Sequence, residues 1–490
     1  MPWWLVIVIF IAALLLVVTI HDLTQRKHAI LRNFPVIGHL RYLIEKIGPE
    51  LRQYIVASND EELPFNRDER RFVYASAKRE NVYFGFGTDN DLSVPGYVLF
   101  RHAAFPHPSP PEGQADVLPM RKMMGEWRLR PGAFVPESAV FISAMSFGSL
   151  SGPAVEALNR GAALSGALHN TGEGGISEHH RHDGELIFQL GTGYFGARSV
   201  NGSFSTEKML ESMETAPVSA IEIKLSQGAK PGLGGVLPGR KVTPAIAKAR
   251  GVEVGVTVNS PSSHSSFSNV AEMIDFIELV ANETGAPVGI KSAVGEKQFW
   301  RELAEAMEST GRGPDFISID GGEGGTGAAP LPFSDHVALP FRHGFSEVYR
   351  AFAERGLHEK VMFLGAGKLG LPTEAMVAMA MGVDGIGVAR EAMLAVGCVQ
   401  AQKCHDGHCP TGVATQNRWL TRGLDPTDKS VRVANYIGAL RHELVRLSNA
   451  MGFEHPALVD PRNVEIREST SGVTPIRDLY GYDPAWARTS

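Results

Sequence analysis

The sequence predicts an α/β protein, a (β/α)8 TIM barrel with an N-terminal transmembrane helix and an N-terminal extension. Eight short apolar runs rich in β-forming residues each end in glycine or a small polar residue. Amphipathic helical patterns lie between most of these runs, and this alternation is typical of a (β/α)8 barrel. The first twenty residues are almost uninterruptedly apolar, which predicts the membrane helix. A doubly wound open sheet is the alternative architecture.

The predicted strands are apolar along their length and carry polar residues at their C-terminal ends, as in a parallel sheet that is buried on both faces. They span 139–146, 167–172, 220–226, 252–260, 286–293, 315–322, 360–367 and 382–390. Helical patterns between them cover 152–166, 268–284, 298–309, 344–356 and 372–381. Residues 186–199 are expected to form a hairpin inserted after the second strand.

The sequence divides into four predicted regions. We predict a transmembrane anchor at 1–22, an N-terminal extension at 23–135, the barrel at 136–425 and a helical cap at 426–490.

Charge and cysteine content limit the possible partners and the compartment. The formal net charge of −6 argues against a nucleic-acid partner. The chain has only three cysteines, all within 398–409, so a disulfide framework is excluded and a reducing compartment is expected. The sequence is also compatible with a homo-oligomer.

The N-terminal run at 3–20 contains no charged residue, and as a helix it would be about 27 Å long, close to the hydrocarbon thickness of a bilayer. No basic stretch precedes it and no A-x-A site follows it, which favours an uncleaved anchor over a signal peptide. Trp3 and Trp4 suit a membrane interface. The basic residues after the run place the following chain in the cytoplasm by the positive-inside rule; they are Arg26, Lys27, Arg32 and Arg41. We therefore expect a single-pass protein of the cell inner membrane with a cytoplasmic catalytic body. A buried core helix is the alternative.

The active site of such a barrel lies at the C-terminal ends of its strands. Those ends are rich in glycine, amide, hydroxyl and lysine groups and poor in metal-ligating sets, which suits a cofactor held by backbone groups. The candidate cofactor-binding residues are Ser143, Ala144, Met145, Ser146, Asn170, Gln227, Lys291, Asp320, Gly321, Gly322, Gly365, Gly367, Lys368, Gly387, Ala389 and Arg390. Three glycine-rich loops, at 172–175, 228–235 and 321–330, would let the backbone approach a ligand there.

Two of these strand ends resemble phosphate-binding loops. "GAGKLG" follows the seventh predicted strand and "GVAREA" follows the eighth, where such barrels bind phosphate through backbone N–H groups and a helix N-terminus. Either loop alone is most often a simple turn, but the pair indicates a phosphorylated cofactor. Lys291, at the end of the fifth strand, would then lie beside the pyrimidine edge of a flavin and stabilise its reduced form. A surface lysine is the alternative.

The cysteines Cys398, Cys404 and Cys409 have the spacing C-x5-C-x4-C. Three thiolates can ligate iron, and with His405 or His408 they could also form a zinc site. Simple buried thiols are the third possibility. Cys398 lies eight residues after Arg390, so a metal bound there would lie near the cofactor, an arrangement that suits electron transfer.

Six motifs together resemble the FMN-binding domain of glutamate synthases, in order and spacing, over about residues 135–425. They are "SAMSFGSLS" (143–151), "NTGEGG" (170–175), "QGAKPGLGGVLPGRKV" (227–242), "GGTGAAPL" (324–331), "GVAREAMLAVGC" (387–398) and "CHDGHCPTGVATQ" (404–416). The segment "PFNRDERR" resembles the stand-alone bacterial subgroup of these enzymes.

The resemblance implies FMN in the barrel and a [3Fe-4S] cluster on Cys398, Cys404 and Cys409. It implies reduction of 2-iminoglutarate, formed from 2-oxoglutarate and ammonia, to L-glutamate. It also implies that Lys230 and Arg250 bind the oxo acid, a two-charge grip suited to a dicarboxylate. Glu173 completes the set of candidate catalytic residues.

Two positions depart from the family's pattern. Val236 replaces a glutamine that contacts the substrate, and Ile176 replaces an acidic residue after "GEGG". A site that loses hydrogen-bond partners discriminates against its former ligand. A different imine, another 2-oxo acid or an N-substituted glutamate is therefore the alternative substrate, and a membrane-tethered barrel with structural zinc is the non-enzymatic alternative.

The sources of nitrogen and electrons are expected to lie outside the chain. We expect no glutaminase domain, so ammonia or another amine would come from solution or from a partner. No dinucleotide-binding fingerprint opens a βαβ unit. We therefore expect a separate electron donor protein, a ferredoxin or a reductase.

Overall fold

The computed structural model describes residues 2–25, 28–83, 85–108 and 117–488. It divides into two compact units, Met1–Arg70 and Arg71–Ser490. Arg26 and Lys27, two of the residues predicted to mark the cytoplasmic side, lie outside the described residues.

The helices follow the predicted amphipathic patterns closely within the barrel. In chain order they are α1 (Trp3–Thr24), α2 (Ala29–Asn33), α3 (Gly38–Leu51), α4 (Arg67–Lys78), α5 (Gly152–Ser165), α6 (Thr206–Met213), α7 (Pro244–Arg250), α8 (Val270–Thr284), α9 (Lys297–Thr310), α10 (Leu331–His336), α11 (Phe341–Ala353), α12 (Pro372–Met381), α13 (Arg390–Ala395), α14 (Arg418–Thr421), α15 (Pro426–Ala450) and α16 (Ile476–Leu479).

The strands are short, and most belong to one sheet. They are β1 (Val98–Phe100), β2 (Val140–Ile142), β3 (His169–Asn170), β4 (Leu186–Leu190), β5 (Val218–Lys224), β6 (Val236–Leu237), β7 (Val258–Asn259), β8 (Val288–Ser292), β9 (Phe316–Asp320), β10 (Met362–Ala366), β11 (Gly385–Val388), β12 (Val464–Arg467) and β13 (Val473–Pro475). Eight of them close a parallel barrel in the order β10-β11-β2-β3-β4-β5-β8-β9. The predicted TIM barrel is confirmed.

One predicted strand is wrong, and the segment read as a hairpin is the strand that replaces it. Residues 252–260 leave the barrel and contribute only β7, which pairs with β6 in a separate antiparallel sheet. The third barrel strand is β4, within the segment 186–199, and all five of its residues are buried. The alternating valines at 252–258 are typical of a half-exposed strand, and Val254 and Val256 are indeed exposed. The continuous apolar run of β4 has the pattern of a parallel strand that is buried on both faces.

Helix α15 completes the ring of helices around the barrel. It packs against α5, which follows the first barrel strand, and against α12, which follows the seventh. This is the position of the eighth helix of a (β/α)8 barrel. The predicted boundary between the barrel and the helical cap, at residue 425, falls directly before α15. Beyond α15 the chain adds two strands, β12 and β13, which form an antiparallel sheet with β1.

Buried charges at the N-terminal end of the barrel are paired. Asp384, just before β11, is fully buried and lies 3.1 Å from Lys122 Nζ and 3.1 Å from an Arg488 guanidinium nitrogen. Asp315, just before β9, lies 3.0 Å from Arg130 Nε. Burial lowers the pKa of Lys122 to about 8 although Asp384 opposes the shift. Because these ions pair with one another away from the strands' C-terminal ends, they serve the fold.

Candidate active site

Residues from several barrel strands meet at the C-terminal end of the barrel. Lys291, on the fifth barrel strand as predicted, is buried, and its Nζ lies 3.4 Å from Ser143 Oγ and 3.6 Å from Asp320 Oδ2. Asp320 ends the sixth barrel strand and accepts a hydrogen bond from Gly228 N at 3.0 Å. Three of the sequence-predicted cofactor residues therefore form one polar cluster, in which a lysine cation faces the barrel mouth.

A buried carboxylate that the sequence analysis missed holds Asn170 in place. Glu222, on β5, accepts hydrogen bonds from Asn170 Nδ2 at 2.8 Å, Gln189 Nε2 at 2.6 Å and Ser318 Oγ at 2.6 Å. Asn170 Oδ1 in turn accepts from Gly172 N. These residues sit within strands, where a polar residue at one position gives no signal in a single sequence, so only the barrel's closure brings them together.

The two predicted phosphate loops lie side by side because β10 and β11 are neighbours. Glu391, which is buried, links them by accepting from Gly370 N at 3.2 Å and from Ala389 N at 3.3 Å. The Ala389 N–H is therefore used within the protein. A Cβ atom on Gly367 would come 2.9 Å from Gly321 N, so this glycine is needed where the loops after β9 and β10 touch.

Arg390 reaches from the loop after β11 to the loop after β9. Its guanidinium donates to the backbone oxygen of Glu323. A Cβ atom on Gly325 would meet the Arg390 side chain at 2.6 Å, so the two loops are closely packed. Of the remaining candidates, Ala144, Met145, Ser146 and Gly322 lie in the loops after β2 and β9, while Gly365 and Gly387 lie within β10 and β11.

The predicted catalytic residues form a second cluster, centred on Glu173. Lys224 Nζ lies 3.2 Å from Glu173 Oε1 and donates to Gln227 Oε1 at 2.7 Å. Lys230 and Arg250 are both buried. Burial raises the pKa of Glu173, but the charges of Lys224, Lys230 and Arg250 outweigh burial and hold that pKa below its ordinary value. Lys224 was not among the predicted catalytic residues.

Arg250 is the most unusual group of this cluster. It ends α7, and its Nη2 donates to the backbone oxygen of Phe147 at 3.3 Å while its guanidinium lies 5.0 Å from the ring centre of Phe195. Its Nε is buried without a hydrogen-bond partner in the described part of the chain. Burial lowers its pKa and that of Lys230.

Charge is unbalanced in this pocket. Among the residues that the structure describes, neither Lys230 nor Arg250 forms an ion pair with a carboxylate, since Glu173 pairs with Lys224. Three cations therefore face one carboxylate. Because a buried unpaired cation is unfavourable, the pocket is complementary to a ligand with two negative charges.

The three glycine-rich loops converge as predicted. A Cβ atom on Gly228 would overlap Gly321 O, and one on Gly235 would lie 2.9 Å from Glu173 Oε1. The two departures from the family pattern lie beside these loops. Ile176 is buried, whereas Val236 is 51% exposed and pairs with Asn259 in the small β6–β7 sheet.

The three cysteines lie together on the loop after α13. Cys409 is buried, and Cys398 and Cys404 are half-buried. Burial, with a smaller contribution from the charges of Cys404 and Cys409, raises the pKa of Cys398 to about 12. Gln400 N donates to Cys398 Sγ at 3.4 Å.

Contacts from other segments fix this cysteine loop. Lys241 Nζ donates to Cys404 O at 3.0 Å, and Tyr74 Oη donates to Cys398 O at 2.8 Å. A Cβ atom on Gly327 would lie 3.4 Å from Cys404 Cβ, so the loop after β9 touches the cysteines. No group of three or more His, Cys, Asp or Glu side chains in the described ranges is arranged to hold a single metal ion.

Comparison with known proteins gives a consistent set of relatives. The family described as a conserved region in glutamate synthase matches residues 128–454. The glutamate synthase large subunit-like protein YerD of Bacillus subtilis is 39% identical, and the match covers 94% of each chain. The archaeal-type glutamate synthase [NADPH] of Thermotoga neapolitana is 35% identical over 64% of this chain and 60% of its own length. The ferredoxin-dependent glutamate synthase of Cyanidium caldarium is 37% identical over 48% of this chain and 15% of its own length.

Proposed function

The chain belongs to the glutamate synthase family of oxidoreductases, and on that premise we propose that it reduces 2-iminoglutarate, formed from 2-oxoglutarate and ammonia, to L-glutamate. The observation that carries the proposal is the excess of buried positive charge around Glu173. A dicarboxylate would pair with Lys230 and Arg250 and leave the Lys224–Glu173 ion pair intact.

Different residues of this pocket would bind the substrate's carboxylates and orient its imine group. Arg250 offers its unpartnered Nε–H to one carboxylate, and Lys230 balances the other. Glu173 is ionised near neutral pH because its pKa is lowered, so it would accept a hydrogen bond from the protonated imine nitrogen. This bond would orient the C=N carbon for reduction. The reaction adds a hydride to that carbon and leaves the nitrogen as an amine.

The barrel mouth fits FMN, which would supply the hydride when bound. Lys291 provides a buried amino group 3.4 Å from Ser143 Oγ and would help to hold the flavin and stabilise its reduced form. Lys368 and Arg390 bring positive charge to the two adjacent loops after β10 and β11, which suits the FMN phosphate. These three basic residues support the proposal that the chain binds FMN.

The three cysteines are the residues of this chain that would hold an iron–sulfur cluster. Burial raises the pKa values of both Cys398 and Cys404, so thiolates there need a compensating positive centre. A [3Fe-4S] cluster takes three cysteine thiolates as ligands, and Cys398, Cys404 and Cys409 all lie on the one loop after α13. Cys398, Cys404 and Cys409 would hold the cluster, which would supply an electron-transfer centre, and we propose a separate ferredoxin or reductase as the electron donor.

We propose that α1 anchors the chain in the cell inner membrane with the catalytic body in the cytoplasm. Among the described residues it is the one helix long and apolar enough to cross a bilayer, with a mean hydropathy of 3.0. None of its most apolar window is buried, which disfavours the core-helix alternative. Its 22 residues would span about 33 Å.

A second candidate function changes the substrate and keeps the redox chemistry. Val236 directly follows Gly235, whose Cβ would lie 2.9 Å from Glu173 Oε1, and Ile176 lies two residues after Gly174, whose Cβ would lie 3.3 Å from Arg250 Nη2. Such side chains could tolerate an alkyl group, so an N-substituted glutamate, another imine or another 2-oxo acid is the alternative.

Turnover with a reduced dye tests both candidates. Purified full-length protein would be assayed anaerobically with 2-oxoglutarate and either ammonium or methylamine, and the products separated by chromatography. L-Glutamate from ammonium supports the first candidate, and preferential formation of N-methylglutamate supports the second. No product with either amine, from protein that contains both flavin and iron, would overturn the glutamate assignment.

A further inference from the structure

Helix α3 carries an apolar stripe that is exposed along its whole length. Leu40, Ile44, Ile47 and Leu51 recur at helical spacing on one face, and all four side chains are exposed. Exposed apolar residues continue the stripe at both ends, at Ile37 and Ile55. Charged residues occupy the other side of the helix, where Arg41 and Glu45 form an exposed ion pair.

A barrel helix of the same length shows what such a stripe normally does. Helix α9 also has 14 residues, and its apolar residues Trp300, Leu303, Ala304 and Met307 are at most 2% exposed. The corresponding residues of α3 are 41–56% exposed. Exposed apolar area of this extent marks an interaction surface.

The end of α1 holds the start of α3. Asp22, in the last turn of α1, is fully buried and accepts hydrogen bonds from Val36 N at 2.9 Å and from His39 Nε2 at 2.9 Å. Val36 lies two residues before α3, and His39 lies in its first turn. Because α1 is about as long as the bilayer is thick, this contact holds α3 at the level where α1 leaves the hydrocarbon.

We propose that α3 lies in the membrane interface, with the stripe Ile37–Leu40–Ile44–Ile47–Leu51–Ile55 in contact with lipid. The inference rests on the proposed insertion of α1 and goes beyond it, because it assigns a second, peripheral lipid contact to the N-terminal unit. An amphipathic helix buries its apolar face at the boundary between headgroups and acyl chains and leaves its charged face in water. Lipid is the occupant because Asp22 fixes the stripe next to the spanning helix.

Photo-crosslinking from defined positions tests the proposal. p-Benzoylphenylalanine would replace Ile44, on the stripe, or Glu45, which lies about 100° round the helix on the charged side. A third variant, Phe10→p-benzoylphenylalanine, places the same group in the middle of α1. Each full-length variant would be reconstituted into phosphatidylethanolamine–phosphatidylglycerol liposomes, irradiated and analysed by mass spectrometry for lipid adducts.

We expect lipid adducts at Phe10 and at Ile44, with at least a fivefold lower yield at Glu45. Adducts at Phe10 with equal, low yields at Ile44 and Glu45 would overturn the interfacial helix and leave the anchor standing. Crosslinks from Ile44 to protein, either to a second copy or to residues 71–490, would overturn it too. No adduct at Phe10 would show that α1 is not inserted, and both proposals would then fail.

Discussion

Buried charged side chains are paired at the N-terminal end of the barrel, whereas, within the described ranges, two of them lack carboxylate partners at its C-terminal end. At the N-terminal end, Asp384 pairs with both Lys122 and Arg488, and Asp315 pairs with Arg130. At the C-terminal end, Lys230 and Arg250 are buried without carboxylate partners in the described part of the chain. The paired ions are complete within the protein, whereas the unpaired cations become favourable only when an anion binds. On the function proposed above, this difference separates residues that maintain the fold from residues that bind the substrate.

The largest expected effect comes from removing the unpaired guanidinium. Arg250→Ala should lower kcat/KM for 2-oxoglutarate about 1000-fold, equivalent to roughly 4 kcal/mol of lost transition-state binding. The melting temperature should change by less than about 2 °C, because no internal ion pair is broken. Steady-state kinetics and thermal unfolding would measure the two quantities on the same samples.

Arg198→Ala is the matched control. Arg198 lies 5.5 Å from the centre of the same Phe195 ring but is not one of the charges that act on Glu173. Its loss should change kcat/KM by less than about threefold. Equal losses of activity in the two variants would show that packing on Phe195, and not anion binding, explains the role of Arg250.

The converse change breaks a pair at the N-terminal end. Asp384→Ala leaves Lys122 and Arg488 buried without their partner and should destabilise the protein by about 3 kcal/mol. The flavin spectrum and the KM should be unchanged in the fraction that remains folded. Asp275→Ala, which removes an exposed partner of Arg312, should cost less than about 1 kcal/mol. Chemical denaturation would measure both, and similar values would contradict the distinction between paired core ions and surface ions.

The value of kcat/KM should depend on pH because of Lys230, at the C-terminal end of the barrel. Burial lowers the pKa of Lys230, so this lysine loses its proton at a lower pH than an ordinary lysine does. Because the charged form binds the dicarboxylate, kcat/KM should fall as the pH rises through that pKa, by about tenfold between pH 7 and 10. Lys230→Arg should shift the fall to higher pH. An unchanged alkaline limb in this variant would exclude Lys230 as the titrating group.

The smallest effect is expected where the sequence departs from the family. Val236→Gln places an amide beside the Glu173 loop and should raise kcat/KM with ammonium about threefold relative to methylamine. Val254→Gln, another exposed valine outside the pocket, is the control and should leave that ratio unchanged. Competition assays with both amines would measure the ratio directly.

The fold class and part of the candidate site could be predicted from local sequence. The fold class followed from the alternation of strands and helices, and Lys291 and Asp320 were found because strand ends mark the active site of a barrel. Glu222 and Glu391 were missed, since nothing local distinguishes a buried carboxylate from a solvated one. The alternating valines at 252–258 were mistaken for a barrel strand because β-propensity does not report which sheet a segment joins. Lys224 was missed as a partner of Glu173, because their ion pair depends on β3 and β5 ending at the same edge of the barrel.

The central claim is that the pocket of Lys230 and Arg250, at the C-terminal end of the barrel, acts together with a bound flavin and an iron–sulfur cluster. The most direct measurement is a visible spectrum with metal analysis of full-length protein purified anaerobically, alongside Cys409→Ser. We predict flavin bands with broad iron–sulfur absorption and about three iron atoms per chain, and loss of the iron but not of the flavin in Cys409→Ser. A colourless protein that contains zinc and no iron would contradict the account.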